Sequence, residues 1–195
     1  MVNLDMEEVK QIYFPTRDAW RNWLKKNHLS KRKIAVIVYK KHTGKPSPNH
    51  KELMEEAICF GWIDTTIKRL DHEKYLRCFV RRNDKSKWSN NTLRYAGDLM
   101  KKGKMSAEGI KRYKEGLSRK THDHGIPDNP RAPDYLVKEI EKDKKARDNF
   151  KKIPPSYKRT LLRWLLRAKL KETKKKRVKS IVKALRTNKK LFPAA

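Results

Sequence analysis

The stretch that decides the fold runs Trp62-Ile-Asp-Thr-Thr-Ile-Lys-Arg69, Leu70-Asp-His-Glu-Lys74, Tyr75-Leu-Arg-Cys-Phe-Val-Arg-Arg82. In its second half Leu76, Cys78 and Val80 alternate with Tyr75, Arg77, Phe79 and Arg81. That period of two is a strand read from both faces. In the first half Trp62, Asp64, Thr66 and Lys68 share one face, and Ile63, Thr65, Ile67 and Arg69 the other. Asp71–Lys74 between them is polar and short, so the spacing predicts a β-hairpin.

Working outward, Ile34-Ala-Val-Ile-Val-Tyr39 is a β-prone run without alternation, which suits a strand covered on both faces. Helices flank these strands. Thr16 stands where a cap would precede the stripe Ala19, Trp20, Trp23, Leu24. Asn49 and Glu52 have capping-box spacing ahead of Leu53, Met54, Ala57 and Ile58, and Gly61 ends that helix. Ser89 and Ser106 open two more helices, the first closed by Gly103, the second with Met105 and Ile110 at staple spacing. The order αβαββ predicts an α+β part with three antiparallel strands, Ile34–Lys40, Trp62–Arg69 and Tyr75–Arg82, over residues 1–120.

Residues 121–133 hold three Pro and one Gly and read as a linker. From 134 to 195 every apolar pattern is helical. A helix is expected over Tyr135–Lys145, a turn capped by Asp143 to Phe150, and a helix from Ser156 with Leu161, Leu162, Leu165 and Leu166 inward. Lys171–Arg177 holds no apolar residue, so a bend is expected there, before Val178, Ile181, Val182 and Leu185 resume at i, i+3, i+4, i+7.

This helical module carries the charge. Residues 151–195 hold seventeen Lys or Arg against one acid, Glu172, within a chain of net charge +30. Apolar content of 36% is low, yet five Trp, seven Tyr and five Phe exclude wholesale disorder. Dense positive charge on a folded surface attracts polyanions over long range. Arg163, Arg167, Lys174, Lys175, Lys176, Arg177 and Lys179 are therefore the candidate contacts for a nucleic acid or other polyanion.

A second candidate is a ligand pocket at Trp62, Asp64, Arg81, Arg82, Lys87 and Trp88. There guanidinium and ammonium groups interleave with indoles, a set able to hold phosphate and stack a base or sugar. The competing reading makes Trp88 a plug of the core, and pairs Asp64 with an arginine such as Arg77. A third class is a protein-interaction module.

The sequence contains no HExxH, GxSxG, Walker or GxGxxG motif, so no catalytic residue, cofactor or reaction is assigned. His122-Asp-His124 lacks a third ligand nearby in sequence, and no metal is expected. Cys59 and Cys78 have no CxxC spacing and read as buried thiols. The N-terminal residues lack an apolar signal core, and no run is long enough to span a bilayer; the expectation is a cytoplasmic protein without a transmembrane segment.

Several stretches together resemble the YdeI/OmpD-associated, or bacteriocin-protection, family. They are Phe14–Leu24, Ala57–Asp64 (with Cys59-Phe-Gly-Trp-Ile-Asp64), Arg81–Asn90, Lys104–Gly109 and Arg163–Thr173. A pattern of Ala168, Lys169, Glu172, Thr173 and Arg177 adds to them. The resemblance spans roughly residues 12 to 187. It implies a soluble α+β part followed by a helical module, and an association with stress and tolerance to cationic peptides. It implies no agreed enzyme activity and no cofactor. The net charge of this chain opposes direct capture of a cationic peptide.

Overall fold

The computed structural model describes residues 9–192 and divides the chain into two compact units, residues 1–121 and 122–195. The first unit is built on one sheet of four strands, β1 (Gln11–Tyr13), β2 (Lys33–Tyr39), β3 (Trp62–Arg69) and β4 (Lys74–Arg81), in the order β1-β2-β4-β3. The three expected strands are present, and β2–β4 and β3–β4 are antiparallel. The expectation of three strands is corrected by β1, which pairs with β2 in parallel through Gln11↔Ala35 and Tyr13↔Ile37. Three residues are too few to show a period, so β1 exists only because β2 offers it an edge.

Four helices belong to this unit: α1 (Arg17–Asn27), α2 (His50–Cys59), α3 (Asn90–Lys101) and α4 (Ala107–Leu117). The caps are those expected. Thr16 accepts from the Ala19 amide, Asn49 and Glu52 form a reciprocal capping box, and Ser89 and Ser106 cap α3 and α4. Gly61 ends α2 with a φ of 74°, left-handed backbone that favours glycine. The core joins Ile34, Val36, Val38, Trp62 and Phe79 of the sheet to Trp20 and Leu24 of α1, Leu53, Ala57 and Ile58 of α2, and Ala96, Leu99 and Tyr113 of α3 and α4. Ala35, Leu76 and Cys78 are buried on the other face, so the middle of β2 is covered on both sides, as its unbroken apolar run predicts.

Glycine and serine bring α4 close. Ser106 donates through its backbone amide and its hydroxyl to the Cys59 carbonyl, at 2.9 and 3.0 Å. Gly109 lies against that same carbonyl, where a Cβ would overlap it. The Lys104–Gly109 motif is therefore a joint between the end of α2 and the start of α4.

The second unit packs α5 (Asp134–Glu141), α6 (Lys144–Lys152), α7 (Pro155–Leu166) and α8 (Lys171–Arg186) around Leu136, Ile140, Ala146, Leu161, Leu162, Leu165, Val178, Ile181 and Leu185. The helix expected over Tyr135–Lys145 stops at Glu141, because Asp143 caps α6 by accepting from the Ala146 amide. The expected bend at Lys171–Arg177 is also corrected. That segment is the first half of α8, and the chain turns instead between Arg167 and Leu170. Lys, Glu and Arg are good helix formers, so two turns without a fully buried residue stay helical when the next two are anchored.

Residues 122–133 are not a free linker. They lie along α7, with Asp123 fully buried. Arg159 donates to the Asn129 side chain, Arg163 to the Pro127 carbonyl and the Asp128 side chain, and Arg167 to Asp123. Arginines spaced four apart thus hold the segment down one turn after another.

Candidate nucleic-acid interface

The indoles of the pocket candidate are core residues. Trp62 is fully buried and donates to the His28 carbonyl at 3.2 Å. Trp88 is buried edge-on to Tyr113, with ring centroids 6.3 Å apart. Gly116 makes room for it: a Cβ there would stand 2.5 Å from the Trp88 Nε1. The other face of Trp88 carries the Arg82 guanidinium, whose Cζ is 3.6 Å from a ring centroid. Nothing of Trp88 is left as a platform for a solute base. Arg81 donates to the Leu29 carbonyl, and the Lys87 side chain is exposed while its carbonyl accepts from Arg82 Nη1 at 3.2 Å.

Asp64 sits at the start of a bulge in β3 and takes Arg77 as its partner, Nη1 to Oδ2 at 2.8 Å, with His50 Nε2 at 3.5 Å from the same oxygen. What these residues enclose is a cavity of about 40 Å³ lined by Met54, Ala57, Ile58, Trp62, Ile63, Asp64, Arg82 and Thr92. An open cleft for a nucleotide is not there.

Cys59 sits at the end of α2, where burial pushes its thiol up to about 11, with Glu56 adding to the effect. It stays a thiol at neutral pH, which fits packing and not nucleophilic attack. Burial likewise raises Cys78. Glu56 itself is buried and receives Arg17 and Arg21 from α1, and Arg17 also reaches Glu55 at 3.0 Å. That cluster clamps α1 to α2.

The basic candidates of the second unit separate into two groups. Arg163 and Arg167 share the buried Asp123, and Arg177 donates to the Trp164 carbonyl with its guanidinium 4.6 Å from that indole. These three are committed to the fold. Lys174, Lys175 and Lys179 line a groove of about 480 Å³ together with Lys171, Tyr135, Glu139 and Val178. Its floor is apolar, supplied by Tyr135 on α5 and Val178 on α8. Lysines at positions 171, 175 and 179 of α8 repeat every four residues and so form one wall. Lys176 is exposed and points elsewhere around the helix. Glu139 and Glu172 are the acids nearby, the latter 3.5 Å from Lys175.

Four residues that line the groove were not among the candidate contacts: Tyr135, Glu139, Lys171 and Val178. Lys171 was legible as the start of the four-residue repeat. Tyr135 was not, because no local pattern says that α5 packs beside α8.

No helix among the described residues is long and apolar enough to cross a membrane. No curated protein and no solved structure matches the chain. Two family models do. Residues 129–188 match Bacteriocin-protection, YdeI or OmpD-Associated, the family that the sequence motifs resemble. Residues 12–112 match a domain of unknown function, DUF8412, so the motifs of the first unit (Phe14–Leu24, Ala57–Asp64, Arg81–Asn90, Lys104–Gly109) fall within that second match. The chain thus belongs to the family of this domain of unknown function, which covers more than half of it, and carries a bacteriocin-protection, YdeI/OmpD-associated segment after it.

Proposed function

We propose that the chain binds nucleic acid through the groove between α5 and α8. The observation that carries this reading is the pairing of Lys171, Lys174, Lys175 and Lys179 with an apolar floor that includes a partly exposed tyrosine. Ammonium groups on flexible stems meet phosphates without a fixed geometry, and a phenol ring accepts a base or sugar by stacking. Burial raises the Tyr135 hydroxyl above its ordinary pKa, so the ring stays neutral beside phosphate. A sulfated polysaccharide offers the same charge without bases and is the natural control.

Binding of labelled single-stranded and duplex DNA, RNA and heparin is to be followed across a salt series. Four lysine contacts give a slope of log K against log salt of roughly −3 to −4 on duplex DNA, and somewhat less on single strands. The variant Lys174→Gln/Lys175→Gln/Lys179→Gln is expected to flatten that slope by about two to three units. Tyr135→Ala is expected to weaken single-strand binding by about 1–3 kcal/mol and leave heparin binding unchanged. Absence of nucleic-acid binding below about 50 μM at low salt sinks the proposal.

A further inference from the structure

We infer that the pocket where α6, α7 and the end of α8 meet is a receptor for a small aliphatic anion, an alkyl chain ending in a carboxylate or a phosphate. It is a different place from the lysine groove, toward the other end of α8. The pocket holds about 500 Å³, within the ordinary range of small-molecule sites. Its apolar wall comes from Ile153 and Pro154 between α6 and α7, Leu161 of α7, and Ala184 and Leu185 of α8. Three exposed lysines, Lys152, Lys189 and Lys190, line it as well, and no acid does. None of the three has a carboxylate within ion-pair distance among the described residues. Like charges gathered without an acid repel, and an anion relieves them.

The turn after α8 fixes this arrangement. Asn188 has a φ of 50°, and its amide donates to the Leu185 carbonyl at 3.2 Å while the Lys189 amide donates to the Ala184 carbonyl at 3.0 Å. This left-handed turn ends the helix and sends the chain back against α7. There the Leu191 amide donates to the Tyr157 hydroxyl at 2.7 Å, and Phe192 meets the Trp164 ring edge-on, with centroids 5.4 Å apart. The two residues that carry Lys189 and Lys190 are thus tied on both sides. The polar groups deeper in the lining are already engaged. Asn149 Nδ2 donates to the Leu185 carbonyl at 2.8 Å, and the Tyr157 oxygen has its backbone donor. What remains is aliphatic carbon for a chain and ammonium groups for a head, with little to read the edge of a base. A lysine meets a carboxylate or a phosphate as a point charge, without a fixed geometry. The chain adds affinity with the apolar area it removes from water.

The test uses the full chain, with its Ile, Leu, Ala and Val methyl groups followed by NMR. Hexanoate, octanoate and decanoate are titrated below their micelle concentrations at constant ionic strength, beside octyl phosphate, octanol and octylammonium. The expected result is a saturable shift of the Ile153, Leu161, Ala184 and Leu185 methyls with the anions, while Val178 in the lysine groove stays still. Each added methylene is expected to tighten binding by up to about fourfold. Octanol is expected to bind about tenfold more weakly than octanoate, and octylammonium more weakly still. Lys152→Gln/Lys189→Gln/Lys190→Gln is expected to bring octanoate down to the level of octanol, a loss of about tenfold over three exposed contacts. Ala184→Leu fills the pocket, keeps the lysines and places a good helix former in α8, and is expected to abolish the shifts. Octyl phosphate binding above octanoate names the head as a phosphate, and the reverse order names a carboxylate. Equal binding of octanol and octanoate would overturn the anion assignment. Shifts that fall on Val178 instead, or no saturable shift with any chain, would overturn the site. Nucleic-acid binding at the groove between α5 and α8 uses other lysines and is read by a different assay, so neither result decides the other.

Discussion

Trp88 shows how one side chain changes meaning between sequence and structure. Its basic, hydroxyl-rich surroundings read equally well as a stacking site or a core plug. Arg82 on one face, Tyr113 at the edge and Gly116 against Nε1 make it a plug. Trp88→Ala is expected to lower stability by about 3–5 kcal/mol, measured by chemical denaturation, with no separate effect on nucleic-acid affinity. Gly116→Ala puts a methyl where the indole already is. It is expected to destabilise by about 1–3 kcal/mol through overpacking, even though alanine is the better helix former. Glu56 is the other decisive residue of this unit. Glu56→Ala leaves Arg21 without its carboxylate and Arg17 with Glu55 alone, and both arginines are partly solvated, so the expected loss is about 1–3 kcal/mol. A denaturation midpoint equal to the parent's would show the α1–α2 clamp to be dispensable.

At the scale of elements, stripes and caps were legible because they are local. Helix α7 buries Leu161, Leu162 and Leu165 as its period predicts, so Leu165→Ala is expected to cost about 2–4 kcal/mol. The boundary between α5 and α6 is set by Asp143. Hydrogen bonding from the Ala146 amide and pairing with Arg186 hold its carboxyl below the usual range. The depressed pKa fixes the sign: its stabilisation is complete above the unfolded value, near pH 4, and is lost as pH falls through the lower folded value. Asp143→Asn keeps a capping oxygen but loses the pairing with Arg186, so it is expected to lower stability near pH 7, to converge with the parent in acid, and so to flatten the acid limb of a thermal-stability profile below about pH 4. Strand β1 and the turn between α7 and α8 were not legible. The first is created by pairing with β2, and the second depends on where Val178, Ile181 and Leu185 find their partners.

At the scale of the whole chain, net charge of +30 is a property of composition, but its use depends on which cations the fold has already spent. Asp123 pairs with two arginines, Arg163 and the still exposed Arg167, and the Trp164 carbonyl takes a third. The lysines of α8 keep theirs in solvent. Their mutual repulsion is screened by salt, so raising NaCl from about 10 to about 150 mM is expected to raise Tm. The triple lysine-to-glutamine variant should gain less from the same salt. Identical gains in parent and variant would place the repulsion on other residues.

The sequence by itself determined most of the elements, the caps, the α+β part before a helical one, and the chain's own positive charge. These rest on period, on residues within four positions of one another, and on composition. Only the tertiary structure decided that Trp62 and Trp88 are core, that Arg163 and Arg167 serve Asp123, that Tyr135 floors the lysine groove, and that Arg82 is buried against Trp88. Each of these depends on groups far apart in the chain, brought together by packing that no local pattern encodes.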